Sequence, residues 1–376
     1  MAASAISSPS RVSTAPTSTN TRTLASASTF SYTGATAVNG GTLAFGKANQ
    51  LTGTNAFTLG GGTLDLGAFN QATGTVTYAS GNLTGTTGVL SATALNVTAT
   101  SAVSLDALIG GAGTLSLNGV GGTLTIARAN TSFTGTTTLT NGTLAFGVDD
   151  ALPGAITVNG GTLALGTFSK TGGAITFAGG TITQTSGTFS PTSLTATNTS
   201  GTLNLDVTLS DAGSLTMNGA GGTLTVSGAN LYTGATTVSA GTLVTGSATA
   251  FGTSTITLSG GTLDLNNLTI ANTLVFAGGA ITGGTIDASK ATFQTGTIGT
   301  KITGTVALTK ATTGLLTLTN AANDYTGGTT VSNGTLALGA TNAAPGVLTI
   351  SGGTFDLTTF DATPTSVTIS GGTIAG

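Results

Sequence analysis

In Gly41-Thr42-Leu43-Ala44-Phe45 the apolar side chains fall at every second position, with Leu43 and Phe45 on one face and Thr42 and Ala44 on the other. That is the period-two alternation of a half-buried strand. The same pairing recurs at Leu64/Leu66, Leu144/Phe146, Leu163/Leu165, Leu203/Leu205, Leu263/Leu265, Leu336/Leu338 and Phe355/Leu357. Thr and Val fill most other strand positions, being stiff at χ1 and suited to a pleated surface. Residues that favour helices (Glu, Lys, Gln, Arg, Met) are scarce, so no long helix is expected.

The strands keep a beat. Leu43, Leu64, Leu124, Leu144, Leu163, Ile182, Leu203, Leu224, Leu243, Leu263, Leu336, Phe355 and Ile374 occupy equivalent places, and adjacent members lie 19 to 21 residues apart. Agreement weakens around residues 84 to 114 and 286 to 316. A longer period is nested over the short one. An aromatic-Thr-Gly phrase opens at Tyr32, Phe133, Tyr232 and Tyr325, at intervals of 101, 99 and 93 residues, and each copy runs on into a Gly-Thr-Leu strand.

Asn-Gly pairs stand just ahead of strands at Asn39-Gly40, Asn141-Gly142, Asn159-Gly160 and Asn333-Gly334, with Asn118-Gly119 and Asn218-Gly219 in a second register. Asn tolerates the left-handed conformation and Gly adopts it freely. Such pairs usually mark antiparallel hairpins. A fixed spacing favours another arrangement, in which strands are successive faces of a coil and Asn-Gly turns its corners. A beat of about 20 residues holds two or three short strands, one rung of a parallel β-helix, so equivalent leucines should stack in a single apolar ladder. The expected fold class is all-β, a parallel β-helix over residues 31–376. Residues 1–30, rich in Ser, Thr and Ala and free of acid, read as a flexible or edge-covering N-terminal segment.

Asn323-Asp324-Tyr325-Thr326-Gly327-Gly328-Thr329-Thr330-Val331, followed by Asn333-Gly334-Thr335-Leu336-Ala337-Leu338, resembles the autotransporter-associated β-strand repeat of bacterial type V secretion passengers. Related stretches run from Asn130 to Phe146 and from Asn230 to Leu243. The resemblance implies a right-handed solenoid exported to the outer cell surface or the extracellular space, with roles in adhesion, aggregation or matrix building. The chain shows neither a signal peptide nor a membrane barrel and stops inside a repeat, so it reads as a mature segment or fragment. Any tie to the outer membrane would run through a missing anchor or barrel region.

Composition narrows the chemistry. Only 5% of the 376 residues are charged, against roughly 25% in an ordinary domain. Mean hydropathy is +0.38 and net charge -3, which does not describe a disordered tail. There is no run of about 20 apolar residues to make a membrane-spanning helix. The chain holds no Cys, His or Glu, which removes the usual thiolate nucleophiles, imidazole ligands and many general bases. The reading is therefore not an enzyme, with no catalytic, cofactor or metal site.

The remaining charged residues read as structure. Asp65, Asp264 and Asp356 share the outward place in Gly-Gly-Thr-(Leu/Phe)-Asp-Leu, many rungs apart. Asp149-Asp150 precedes Leu152-Pro153-Gly154 and reads as a turn, calcium ligation being its functional alternative. Asp106 and Asp206 are repeat-related. Lys290, Lys301 and Lys310 read as a solvated face, with no nucleic-acid partner expected at a pI near 4.5. Low charge removes repulsion between copies, so self-association, end to end into filaments or laterally into a layer, is expected. Cell-surface or matrix components are the other expected partners. A Thr-rich ice-binding face, drawn from Thr136-Thr137-Thr138 or Thr75-Val76-Thr77, is a third reading.

Overall fold

The structure is a computed structural model that describes residues 21–24, 35–51 and 54–376. The phrase at Tyr32-Thr33-Gly34 and nearly all of segment 1–30 lie outside the described residues. Within that segment the strand Thr21–Leu24 pairs in parallel with Thr42–Phe45. The chain divides into two compact units, Met1–Thr192 and Ser193–Gly376. Both are β-solenoids of short strands, and each coil pairs in parallel with the coil one turn on, as at Thr143–Phe146 with Thr162–Gly166. Among the described residues the only helix is the 3₁₀ turn Ala288–Lys290.

Alternation of apolar and polar residues becomes an inside and an outside. In Thr123–Ile126, Leu124 and Ile126 are buried while Thr123 and Thr125 are half-buried on the outer side. Each fully buried Leu or Ile stabilises by about 1.5–3 kcal/mol. A single coil cannot cover its own apolar edge, so neighbours supply that stability.

The leucines do not form the single ladder expected from their spacing. In the first unit one column runs Leu43, Leu64, Leu83, Leu105, Ile126, Phe146. A second begins at Val103 and continues through Leu124, Leu144, Leu163 and Ile182. Leu64 and Leu124, equivalent in sequence, therefore belong to different columns. The second unit repeats the device: Leu203, Leu224, Leu243, Leu263, Ile281, Ile298, Leu318 and Leu338 stack, while Gly296, Leu316, Leu336, Phe355 and Ile374 form the neighbouring column. The step falls between Leu83 and Leu105, and again between Ile281 and Ile298. These are the two stretches where the sequence beat weakens. Each step is of two residues, the smallest slip that keeps inward residues inward.

A second face carries its own columns. Leu95, Leu115, Thr137, Ile156 and Ile175 stack beside Val97, Leu117, Leu139, Val158 and Phe177. In the second unit Leu194, Leu215, Thr236, Ile256 and Leu274 stack beside Ala196, Met217, Val238, Leu258 and Phe276.

Asn-Gly pairs turn corners of the coil and close no hairpin. Gly142 and Gly161 have φ of +78° and +66°. A Cβ on Gly161 would sit 2.3 Å from the Gly142 carbonyl oxygen, while the Thr162 N–H donates to that same oxygen at 2.8 Å. Stacked corners thus approach too closely for any side chain at these positions.

Candidate functional site

The aromatic-Thr-Gly phrase places an aromatic ring inside the coil. Tyr232 and Tyr325 are about 1% exposed. The Tyr232 hydroxyl lies 2.5 Å from Thr236 Oγ1, which lies 2.8 Å from Ser254 Oγ on the next coil. Tyr325 Oη and Thr329 Oγ1 are 2.6 Å apart. Thr137, Thr236 and Thr329 all sit in otherwise apolar inward positions and are buried. A hydroxyl there needs a partner, and tyrosine four residues earlier supplies one in two copies. Burial pushes both phenols up to about 12, against the opposing hydrogen bonds to threonine.

Two or three residues before Phe133, Tyr232 and Tyr325 stands an asparagine that ties three coils together. Asn130 Oδ1 accepts from the Ile109 N–H at 2.8 Å, while its Nδ2 donates to Arg128 O at 2.8 Å and Ala151 O at 3.0 Å. Asn230 accepts from Leu209 N–H at 2.6 Å and donates to Gly228 O and Ala250 O. Asn323 accepts from Ile302 N–H at 2.8 Å and donates to Ala343 O at 2.7 Å. Sequence reasoning passed over these residues. The signal was present in the recurring Asn-x-Tyr of Asn230-Leu231-Tyr232 and Asn323-Asp324-Tyr325.

The aspartates serve corners. Asp65, Asp264 and Asp356 accept from the backbone N–H two residues on, at Gly67 (2.9 Å), Asn266 (2.9 Å) and Thr358 (2.8 Å). This is the Asx turn. Asp287 does the same with Ser289, whose N–H holds the carboxyl below its usual range. Asp149 accepts from Ser169 N–H at 2.8 Å, and Asp150 takes both the N–H and the hydroxyl of Thr171 at 2.6 and 2.7 Å. The pair therefore locks one corner to the next coil. Asp106 accepts from Ser104 Oγ at 3.0 Å. Among the described residues no three acidic groups converge as a metal site would require.

One lysine departs from the expected solvated face. Lys301 pairs with Asp324 at 2.6 Å near the surface. Lys310 instead occupies an inward position, stacked on Val331, and is fully buried. Its ammonium donates to the carbonyl oxygen and the hydroxyl of Thr312. Alternation explains this, because Leu308 and Lys310 share the inner face of one strand. Lys170 is likewise fully buried and reaches Pro153 O at 3.3 Å and Gly172 O at 2.5 Å. Burial lowers its pKa to about 8, with the Asp150 carboxylate opposing. Burial lowers Lys310 as well.

The exterior offers little chemistry. Thr137 points inward, so Thr136-Thr137-Thr138 does not form a continuous outer triplet. Ser116, Thr138, Thr157 and Thr176 stack as one outward column, and Thr77 stacks on Thr58, which stacks on Ala37. An open depression of about 380 Å³ in the first unit is lined by Ser91, Ala92, Thr93 and Gly110 to Gly113, with no ionisable side chain. No helix among the described residues is long and apolar enough to cross a membrane.

Four segments match the family model of the passenger-associated-transport-repeat: residues 17–45, 121–146, 215–244 and 308–338. The chain thus carries four copies of this repeat. The last three span the Asn, aromatic, Thr and Gly-Thr-Leu positions described above. No curated protein and no solved structure matches the chain.

Proposed function

We propose that this chain, an autotransporter-passenger-like repeat protein, is a non-enzymatic shaft displayed at a bacterial surface or released from it. There it contributes to adhesion, aggregation or extracellular matrix. The observation that carries this reading is that three of the four passenger repeats coincide with the residues that lock one coil to the next. In those repeats the recurring residues build the coil itself, and His, Cys and Glu, the commonest catalytic bases and nucleophiles, do not occur in the chain.

Sparse charge supports self-association, end to end or laterally, and matrix or cell-surface components as further partners. Two measurements test the proposal. Protease shaving of intact cells that carry the native gene should release peptides of this chain, and deletion of the gene should slow cell settling or weaken attachment. A chain found only in the cytoplasm, or a deletion strain with unaltered settling and attachment, overturns it.

A further inference from the structure

We propose that Asn333 is a site of spontaneous covalent modification, in which its carboxamide is converted to aspartate and isoaspartate through a cyclic imide with the Gly334 nitrogen.

Asn-Gly is the sequence in which a backbone nitrogen meets least hindrance from the following side chain, yet the chain contains six such pairs and the structure treats them differently. Asn333 is exposed at a corner, and Gly334 has φ +63°. The Gly334 N–H has a single partner, Asn333 Oδ1 at 2.8 Å. The nucleophilic nitrogen thus rests against the carboxamide it would attack, outside the ladder of coil-to-coil hydrogen bonds. Two other pairs are held away from reaction. The Gly160 N–H donates to Leu139 O across the ladder. Asn141, which fills the corner place of Asn333 in its own copy, donates its amide to Asn118 Oδ1 at 2.6 Å.

A second feature singles out Asn333. The buried Lys310 ammonium lies 2.7 Å from where a Cβ on Gly334 would project, beside the carbonyl oxygens of Thr312 at 2.4 Å and Gly314 at 2.6 Å. An ammonium on the Gly334 side of the corner, offsetting the dipoles of those two carbonyls, favours the deprotonated amide nitrogen and the oxyanion formed when it attacks. Gly334 N loses its proton to solvent base and bonds to Asn333 Cγ; the Cγ–Nδ2 bond breaks and ammonia leaves. Water then opens the ring at either carbonyl. Opening at the side-chain carbonyl gives aspartate. Opening at the backbone carbonyl gives isoaspartate, which inserts a methylene into the corner. Either product adds a negative charge to a charge-poor surface.

The test is incubation of the purified full chain at mildly alkaline pH, followed by peptide mapping for the mass gain of amide-to-acid conversion and for isoaspartate. Asn333 should convert several-fold faster than Asn141 or Asn159, and in strong denaturant the three should converge. Lys310→Met should slow Asn333 several-fold and leave Asn159 unchanged. Asn118→Ala, which frees the Asn141 amide without touching the second unit, should speed Asn141 and leave Asn333 unchanged. Conversion at Asn333 no faster than at Asn141 in the folded chain overturns the proposal, as does a rate at Asn333 indifferent to Lys310→Met in a variant that retains its β-sheet circular dichroism.

Discussion

Tyr325 folds into the coil so that its hydroxyl lies 2.6 Å from Thr329 Oγ1, and both side chains are buried in a column of apolar neighbours. The aromatic-Thr-Gly phrase that marks the large repeat is thus the visible part of a five-residue device. An inward hydroxyl is tolerated because a phenol four residues earlier satisfies it.

Tyr325→Phe should therefore destabilise the second unit by about 1–3 kcal/mol, the cost of leaving a buried hydroxyl unpaired. Thr329→Val alone strands the phenol and should cost a similar amount. The double variant, with both polar groups gone, should lose less than the sum of the two. Urea denaturation of the four proteins measures the coupling; strict additivity would show that the pair does not act as one unit.

Asn230→Ala removes an acceptor from Leu209 N–H and a donor from Ala250 O. We expect a loss of about 2 kcal/mol or more, since buried backbone groups on two coils are orphaned together. Hydrogen exchange checks the mechanism directly, because the Leu209 amide should lose protection well before amides of distant coils.

Stability should depend on pH through the two buried lysines and the buried tyrosines. Lys170 has a folded pKa of about 8 against an ordinary 10.5, so between those values the unfolded chain holds the extra proton and stability rises with pH. The full difference is on the order of 3 kcal/mol, present as a penalty below pH about 8. Tyr78, Tyr232 and Tyr325 run the other way. Their folded values near 12 against 10 mean that the unfolded chain ionises first and stability falls between those limits. Denaturation midpoints should climb above pH 8, peak near pH 10 and then drop. Lys170→Met should reduce the climb to the part due to Lys310, whose pKa burial also lowers, and a flat wild-type profile would contradict the assignment.

Gly296 marks the two-residue step of the second unit. A Cβ there would meet Phe276 Cζ at 2.6 Å and Gly279 O at 2.5 Å, at a φ of +118°. Gly296→Ala should cost about 2–4 kcal/mol through backbone strain and overpacking. Phe276→Ala in the same chain should recover only the part due to the ring. Equal stability of Gly296→Ala and wild type by denaturation would show that the step does not depend on this close approach.

Most of the architecture was legible in the residues. The alternation in Thr-Leu-Ala-Phe assigned inside and outside, the beat of 19 to 21 assigned coils, and Asn-Gly gave corners, because each of these is set by backbone chemistry within a few residues. The absence of His, Cys and Glu was likewise plain. The asparagine ties were marked in the sequence only by the recurrence of Asn-x-Tyr, since each bonds to backbone groups about 20 residues away on both sides and the local chemistry of Asn230 is also that of a turn residue. Lys310 was misread because a charge in a strand is normally turned outward, and only its neighbours show that it faces in.

What the sequence determined by itself is which residues face the interior and where the coil turns, since both follow from the pleat and from allowed φ and ψ. What the tertiary structure alone decided is which interior residue rests on which. A slip of two residues leaves every face unchanged and so leaves no trace in the alternation. That choice is visible only in the register, Leu83 on Leu105 and Ile281 on Ile298, and at the second step the ring of Phe276 lies where a side chain on Gly296 would project.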